Sequence, residues 1–568
     1  MTEFMPQVML LGGALVLPLA PRATRSALLL VFPLVAFLLL LRLPSGTQAG
    51  LPFLEYELVI IRVDGLSLAF GYVFTLITFL GGLYSFHVKD TGQQVAALLY
   101  AGSGLGVVFA GDWLTLYIFW ELMAISSVWL IWSARDAASI RAGMRYLLMH
   151  LFGGGALLAG ILLHGEQTQS LSFNALEPGS AAYLILIGFA VNAAIPPLHT
   201  WLVDAYPEAS VTGSVFLSAF TTKAAVYVLS RGFPGWEILQ ILGTVMAVYG
   251  VVFAFLENDI RRILAYHIVS QVGYMVAGVG LGTEMALNGA TAHAFAHILY
   301  KGLLFMGAGA VLYATGQRKL TELGGLAGSL PWVLVFYMVG ALSISGFPLL
   351  SGFVSKALVL HAAHLDHRSW MVLLLSVASV GTFLSVGLKL PYFTWFGSGR
   401  SLPNKTVPPG MYMAMGLASA INLAIGLAPE LLYRVLPFAV EYRPYTAAHL
   451  LETIEILGFT GLVFWFLRDK LVGKATITLD FDWFYRRPAP ILRQLLVVGP
   501  NDCFTFMEDL TLAVARQLSR LSMNPFFAFG SPFRSYDPDV YRSPLGTIVL
   551  VVLLCVVFLL GWRFLRFL

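Results

Sequence analysis

Residues 188–201 read GFAVNAAIPPLHTW and place an asparagine, two adjacent prolines and a histidine inside an apolar run. Proline lacks a backbone N–H donor, so it ends or kinks a helix. Within a bilayer, the carbonyl groups that this frees are tolerated only where protein or water satisfies them. The stretch therefore predicts a membrane helix that is broken at Pro196 and Pro197 and faces a polar interior, with Asn192 and His199 beside the break.

The composition is typical of a polytopic membrane protein. The 568 residues are 58% hydrophobic and 11% charged, with a mean hydropathy of +0.80, whereas a soluble domain carries about 25% charged residues. A chain of this length cannot bury that much apolar surface in water, so lipid must cover it. The net charge of +4 gives no indication of a nucleic-acid partner.

The cysteines and the N-terminus exclude two further classes of feature. Cys503 and Cys555 are the two cysteines and stand far apart in sequence, so we expect neither a disulfide framework nor an iron–sulfur centre. The first apolar segment has no basic region before it and no clear cleavage site. We interpret it as a retained helix and not as a signal peptide.

Apolar runs long enough to cross a hydrocarbon core of about 30 Å recur from end to end. They predict an all-α polytopic membrane protein with about sixteen transmembrane helices. The predicted spans are 4–20, 26–42, 66–86, 93–110, 113–132, 142–163, 182–204, 210–230, 237–256, 262–281, 287–313, 331–362, 370–396, 411–428, 449–467 and 545–566.

Basic residues fall in alternate loops, which predicts that these loops face the cytoplasm. They are Arg22 and Arg25, Lys89, Arg135, Arg141 and Arg145, Arg261 and Arg262, Arg318 and Lys319, Arg400 and Lys405, and the tail after Arg468. The intervening loop 164–181 carries Glu166 and Glu177 without lysine or arginine. Both termini then lie outside, although Arg563 and Arg566 fit this orientation poorly.

The segment 468–544 interrupts the membrane pattern with charges, aromatic residues and prolines. Within it, residues 503–523 place Phe504, Met507 and Leu510 roughly on one helical face and Arg516 elsewhere. This pattern predicts an amphipathic helix of about 30 Å on the membrane or on a neighbouring protein, on the cytoplasmic side. A C-terminal membrane helix follows it.

Four charged residues lie inside apolar runs, namely Glu121, Lys223, Lys301 and Lys356. Each costs about 2.5–3.5 kcal/mol at mid-bilayer on insertion scales, so each needs a reason to be there. One buried pair is explained equally well by a structural ion pair. Four such groups, spread over four helices, favour a proton relay. A desolvated lysine suits that role because it releases its proton more easily.

His293, His297 and Lys301 share one helix face because they are spaced four residues apart. Three interpretations stay open: a metal site, a histidine satisfied by a backbone carbonyl, and a hydrated face that passes protons to Lys301. His361, His364 and His367, beside Asp366, are either solvated outer residues or part of an exit path.

A second helix carries its own break, at Gly346 and Pro348. The two breaks lie five helices apart, and each adjoins a polar residue. This arrangement favours an internal repeat with one interrupted helix in each half, as in many ion transporters.

Six segments, taken together and in order, resemble the antiporter-like subunits of complex I, of membrane-bound hydrogenases and of Mrp cation/proton antiporters. They are WELMAISSVWLI, PLHTWLVDAYPEAS, TTKAAVYVLSR, NDIRRILAYHIVSQVGYM, HAFAHILYKGLLF and GFPLLSGFVSK. The resemblance covers residues 60 to 400 and implies two inverted five-helix bundles, each forming half of a water-filled proton path. It divides the chain into 1–90, N-terminal helices; 91–230, first repeat; 231–396, second repeat; 397–467, additional helices; 468–544, surface segment; and 545–568, last helix.

The resemblance also implies roles for single residues. Glu121 is similar to the glutamate of the family's fifth helix, and Lys223 to its linking lysine. The group His293, His297 and Lys301 is similar to the relay on the eleventh helix, and Lys356 to the terminal acid/base on the broken twelfth helix. Arg261 and Arg262 match a basic pair. His199 belongs to the broken seventh helix, beside Pro196 and Pro197.

One position departs from the family pattern. The lysine of the seventh helix would stand 31 residues before Lys223, where this chain has Asn192. An amide hydrogen-bonds to water but does not titrate, and it cannot neutralise Glu121. We hypothesise that Glu121 is often protonated or instead pairs with Lys223.

Two functions follow as alternatives. The first is a proton-translocating antiporter-like subunit, coupled to redox chemistry or cation exchange in partner subunits. The second is a structural or coupling subunit that no longer pumps, which Asn192 supports. No nucleotide loop, nucleophile motif or metal cluster indicates an enzyme with its own cofactor. The expected partners are other integral membrane subunits, phospholipid, protons and sodium, in a prokaryotic cytoplasmic membrane.

Overall fold

The computed structural model describes residues 5–53, 56–399, 403, 405–471, 479–530 and 534–566. Arg400, one of the residues assigned above to a cytoplasmic loop, lies outside these ranges. The chain divides into two compact units, residues 1–480 and residues 481–568, and each is described by itself.

Within the described residues, the regular structure of the first unit is helical apart from one hairpin. Its first elements are α1 (Pro6–Val16), α2 (Arg22–Leu40), β1 (Gln48–Phe53), β2 (Tyr56–Arg62), α3 (Gly65–Tyr84), α4 (Thr91–Phe109), α5 (Trp113–Trp132), α6 (Ala137–Thr168), α7 (Ser180–Ala193), α8 (Thr200–Ala205), α9 (Gly213–Leu217) and α10 (Thr221–Gly232). Then follow α11 (Glu237–Leu256), α12 (Ile260–Leu281), α13 (Glu284–Thr315), α14 (Pro331–Ile344), α15 (Ser351–Leu365), α16 (Ser369–Thr382), π-helical segments Phe383–Lys389 and Tyr392–Phe396, α17 (Pro409–Leu427), α18 (Glu430–Tyr433) and α19 (Ala447–Leu467).

The prediction of a helical polytopic membrane protein is confirmed. In the described part of the chain, twelve helices are long and apolar enough to cross a bilayer, and three shorter apolar helices accompany them. Every predicted span overlaps at least one helix. The chain is therefore a multi-pass integral membrane protein.

Aspartates fix where many of these helices begin. Asp64, Asp90, Asp112, Asp136 and Asp259 each accept a hydrogen bond from a backbone N–H in the first turn of the helix that follows. These N–H groups have no partner within the helix, and a negative charge at this end also complements the helix dipole. The aspartates thereby set the register of the bundle at both of its ends.

Glycines let α11 and α12 approach each other closely. A Cβ on Gly243 would stand 2.3 Å from the backbone nitrogen of Ala277, and one on Gly250 would stand 2.5 Å from that of Ser270. Small residues allow this approach in membranes, where association depends on packing. The pair forms a closely packed support for the second half of the site.

The hairpin β1–β2 was not anticipated. Its antiparallel strands pair Gln48 with Arg62 and Phe53 with Tyr56. The Val59 carbonyl accepts the Gly111 N–H at 2.8 Å, so the hairpin is tied to the end of α4. Only a few residues of β2 are continuously apolar, which is too short a run to indicate a membrane span.

The second unit comprises α20 (Asp482–Arg486), α21 (Ala489–Arg493), a π-helical segment Gln494–Val498, α22 (Gly499–Met523), α23 (Pro538–Tyr541) and α24 (Leu545–Leu565). Helix α22 corresponds to the predicted amphipathic helix 503–523 but is longer, with 25 residues. It follows the π-helical segment without a break, and Pro500 lies in its first turn.

Candidate functional site

Both helices with a predicted break, at Pro196–Pro197 and at Gly346–Pro348, are interrupted. The first break separates α7 from α8 and begins at Ala194, whose φ of 58° is left-handed. The second separates α14 from α15 and contains Gly346 and Leu349, at φ 76° and 69°. A left-handed residue other than glycine costs roughly 1–2 kcal/mol, so the surrounding contacts must hold each break in place. Each break frees carbonyl groups inside the bundle.

The helix that carries Lys223 is interrupted as well, which corrects the prediction of one continuous helix over 210–230. Helix α9 ends at Leu217 and α10 begins at Thr221. Side chains replace helical hydrogen bonds at this point, because the Tyr100 hydroxyl accepts the Thr221 N–H at 3.0 Å. No proline marks the interruption, so the sequence pattern did not reveal it.

Lys223 donates a hydrogen bond to a carbonyl group that this interruption frees. Its side chain is fully buried, and Nζ donates to the Ser218 carbonyl at 2.7 Å and to Thr222 Oγ1 at 3.1 Å. A buried ammonium needs such partners, since desolvation is expensive. The partner of this ammonium group is therefore a backbone carbonyl oxygen and not a carboxylate.

Lys356 is held in the same way at the second break. Its Nζ donates to the Ile344 carbonyl at 2.6 Å and to Ser379 Oγ at 3.3 Å. It also stands 5.3 Å from the centre of the Tyr274 ring, within range of a cation–π contact. The last carbonyl groups of α14 thus fix the lysine of α15 across the break.

Glu121 and Asn192 are unpaired in the described chain. Glu121 Oε1 has no hydrogen-bond partner among the described residues, and no ion pair joins Glu121 to Lys223 there. Asn192 is fully buried, and neither atom of its amide is hydrogen-bonded within the described residues. Glu121 reaches the surface of α6 at Gly154, where an added Cβ would stand 1.9 Å from its carboxylate oxygen.

The histidine face of α13 is fully buried. His293 contacts the Ser355 hydroxyl through Nδ1 and Gln271 Oε1 through Nε2, each at 3.2 Å. His297 and Lys301 Nζ have no hydrogen-bond partner among the described residues. No group of three His, Cys, Asp or Glu side chains in the described chain is placed to hold a metal ion. The face lies close to Lys356 along the chain of α15, because His293 contacts Ser355, the residue before that lysine.

A cavity of about 570 Å³ opens next to Lys356. It is lined by residues of α15, α16 and α19, and His361, His364, His449 and Glu452 are among them. Two of the three histidines with an ambiguous role therefore line the same cavity as the buried lysine, and His367 does not. This arrangement favours the exit-path interpretation for His361 and His364.

Arg261 and Arg262 lie at one end of the bundle, called the basic end here. Arg261 is buried and donates to backbone carbonyls, at 2.9 Å for Ala209. Arg262 pairs with Glu257 at 3.0 Å. Arg318 pairs with Glu208 at the same end. Both members of the predicted basic pair therefore join α12 to neighbouring loops.

Asp480 is a site residue that the sequence did not indicate. Its carboxylate accepts hydrogen bonds from His199 at 3.1 Å, from Tyr266 at 2.6 Å and from Tyr249. Burial by itself would raise the pKa of Asp480, but these hydrogen bonds and the His199 charge hold that pKa well below the usual carboxyl range. His199 precedes α8, so Asp480 connects the first break with α11 and α12.

Lys389 and His267 were also missed. Lys389 is 3% exposed and donates to the Phe255 carbonyl at 2.6 Å and to the Glu257 carbonyl at 3.2 Å. His267 is fully buried and contacts the Ser385 hydroxyl at 2.5 Å. A lysine within the apolar run VGLKLPYF was a usable signal for the first. The second stood in a helix that was assigned only a basic pair.

A family model described as "NADH:quinone oxidoreductase/Mrp antiporter, TM" matches residues 110–384. The match spans both broken helices and the four buried charged residues Glu121, Lys223, Lys301 and Lys356, called the axis here together with His293 and His297. Over this segment the chain is similar to the membrane subunits that the model describes.

Two relatives extend the similarity beyond that segment. The chain is 28% identical to hydrogenase-4 component B of Escherichia coli (strain K12), over 66% of its own length and 63% of that protein's. It is 27% identical to Na(+)/H(+) antiporter subunit A1 of Staphylococcus aureus (strain JH9), over 92% of its own length and 74% of that protein's. The chain thus spans less than two thirds of the first relative.

Solved structures show the same fold. A chain of the Mrp complex from Dietzia sp. DQ12-45-1b aligns with a TM-score of 0.67 at 23% identity, covering 75% of this chain and 94% of that one. A chain of a membrane-bound sulfane sulfur reductase, an archaeal respiratory membrane complex, aligns with a TM-score of 0.70 at 21% identity. That alignment covers 98% of this chain and 99% of the other.

Proposed function

We propose that this chain is a proton-translocating subunit of a multisubunit complex in a prokaryotic cytoplasmic membrane. The observation that carries the proposal is the shared placement of Lys223 and Lys356. Each buried lysine binds a carbonyl freed by a helix interruption, and a face of two histidines and Lys301 lies on α13. Lysines without a carboxylate partner can release protons, whereas a structural ion pair would hold them.

Transport would run from Lys223 along the face of His293, His297 and Lys301 to Lys356, and leave through the cavity lined by His361 and His364. Partner subunits would couple this movement to redox chemistry or to exchange of another cation. Relatives named as a hydrogenase component and as a Na(+)/H(+) antiporter subunit support such partners.

The proposal is tested with Lys356→Ala in membrane vesicles that contain the complete complex. We expect proton transport or antiport to be abolished while assembly is retained, because the path loses the buried lysine that lines the cavity. Lys319→Ala is the matched control, since Lys319 is half-exposed and pairs only with Glu322 in the described chain. Normal transport by Lys356→Ala would overturn the proposal.

A second candidate, a coupling subunit that no longer pumps, is favoured by the unpaired amide of Asn192. Asn192→Lys discriminates between the two. An increase in proton flux indicates a channel retuned at this position, and an unchanged flux indicates a scaffold. Infrared difference spectroscopy of Glu121 tests the related hypothesis of a protonated carboxyl. A fully ionised band at pH 6 in a Lys223-substituted protein would contradict it.

A further inference from the structure

A set of buried polar groups leads from the basic end of the bundle to His293. It begins at the π-helical segment Phe383–Lys389, which continues α16. Such segments occur frequently at functional sites. Ser385, within this segment, contacts His267 on α12 at 2.5 Å. The sequence-based axis through Lys223 includes none of these groups.

The inner end of this set reaches the histidine face. Gln271 lies one helical turn from His267, on the same side of α12. Its Oε1 is 3.2 Å from His293 Nε2. The other nitrogen of His293 contacts the hydroxyl of Ser355, the residue before Lys356. Gln271 of α12 thus contacts His293 directly, and His293 in turn contacts the residue before Lys356.

The outer end reaches solvent. Lys389 Nζ donates to the carbonyl of Glu257 at 3.2 Å, and the Glu257 carboxylate pairs with Arg262. The Arg262 side chain is 31% exposed. The buried ammonium therefore lies directly beneath an ion pair at the surface of the basic end.

We propose that Lys389, His267 and Ser385 form a second proton inlet, which supplies His293 without passing Asn192. The inference rests on the proposed function. An imidazole accepts a proton on one nitrogen and releases one from the other, and a hydroxyl both donates and accepts. Water completes the path between these side chains. Gln271 cannot carry a proton, so it is a positioning residue that orients His293.

A structural role accounts for only part of this arrangement. Lys389 satisfies carbonyl groups at the end of α11, which is an ordinary helix-capping contact. Capping does not explain His267, whose Nδ1 has no hydrogen-bond partner in the described chain although the ring is fully buried. Leaving such an atom unpaired in the interior costs stability, which favours a functional reason for the histidine.

Lys389→Arg separates the two roles. Arginine keeps a cation that can donate to the same carbonyls, but it does not release its proton in this range. We expect the assembled complex to form in normal amount and proton flux in vesicles to fall several-fold. Normal flux in Lys389→Arg would assign the residue to capping and overturn the inlet.

His267→Gln and Ser385→Ala provide independent variants. Each should lower flux to the same extent as Lys389→Arg, and the double variant His267→Gln/Lys389→Arg should be no slower than either, because both act on one path. His150→Gln is the matched control, since His150 is buried in the first half and contacts the Tyr146 carbonyl.

The outcomes distinguish the inlet from the function on which it rests. If Lys356→Ala is inactive while His267→Gln and Ser385→Ala transport at the full rate, the inlet alone is overturned. Lys356→Ala at full rate would overturn the proposed function itself. If His267→Gln fails to assemble, Ser385→Ala decides the question, because it removes only one hydroxyl.

Discussion

Within residues 91–230, called the first half here, Lys223 donates to the carbonyl of Ser218. Within residues 231–396, called the second half, Lys356 donates to that of Ile344. The two halves differ in other buried groups. In the first half, Asn192 has no hydrogen-bond partner among the described residues, whereas in the second half a cavity of about 570 Å³ adjoins Lys356. A freed carbonyl therefore fixes each lysine, and the neighbouring side chains decide how a proton reaches it.

The two halves also differ in the contacts that hold them at the basic end. Asp480 accepts from His199 beside the first break and from Tyr266 of α12, so one carboxylate connects the two halves. In the second half, Lys389 lies under the Glu257 carbonyl instead. The first half is therefore held by a residue distant in sequence, and the second by its own helices.

The largest expected effect is on Lys223. Lys223→Gln keeps a donor for the Ser218 carbonyl but cannot carry a proton, so we expect proton flux in vesicles to fall to the residual fraction that the inlet through Lys389 supplies. Complete loss of flux would show that the inlet does not conduct by itself. Lys223→Gln with the full wild-type rate would show that the first half is not on the path.

Some of this comparison could be predicted from the sequence. Proline inside an apolar run indicates a break because its ring removes a donor, and a charge inside such a run is expensive in lipid, so Pro196, Pro348, Lys223 and Lys356 were identified directly. The helical fold follows from hydropathy for the same reason.

The remainder depends on contacts that no local pattern encodes. The carboxylate of Asp480 lies 281 positions from His199 in sequence. The interruption before Thr221 is made by the hydroxyl of Tyr100, on another helix. The π-helical turn that brings Ser385 to His267 has no distinctive composition. Long-range packing determines each of these features, so only the structure shows them.

The second prediction compares one tightly packed glycine in each half. A Cβ on Gly352 would stand 1.7 Å from the Ser343 carbonyl oxygen, whereas one on Gly154 would stand 1.9 Å from the carboxylate oxygen of Glu121. Backbone cannot move aside easily, but the end of a side chain can. We expect Gly352→Ala to destabilise the protein by about 1–3 kcal/mol, and Gly154→Ala to displace Glu121 at little cost in stability.

Thermal unfolding of the purified protein and vesicle transport check these two variants. Gly155→Ala is the matched control, because an added Cβ there would meet nothing within 4 Å. If Gly154→Ala destabilised the protein as much as Gly352→Ala, the carboxylate of Glu121 would be as rigidly held as the second break. If Gly154→Ala transported normally, the position of Glu121 would not matter for flux.

The smallest expected effect concerns Asp480 and its dependence on pH. Because the pKa of Asp480 in the folded protein lies below its ordinary value, its contacts stabilise the fold above the ordinary carboxyl pKa. That contribution is lost as pH falls through the lower, folded-state pKa. Asp480→Asn should therefore reduce the free energy of unfolding by about 1–3 kcal/mol at neutral pH.

The difference between wild type and Asp480→Asn should stay constant from neutral pH to about pH 5 and shrink only below about pH 4, near the ordinary carboxyl pKa. Unfolding measured across this range checks the sign, with Glu322→Gln as a control in an exposed pair. A difference that widened on acidification would mean that Asp480 is bound as the neutral acid. In that case the carboxyl that connects the halves would donate a proton to a neighbour, and the first half would resemble the second in having its own titrating group at the basic end.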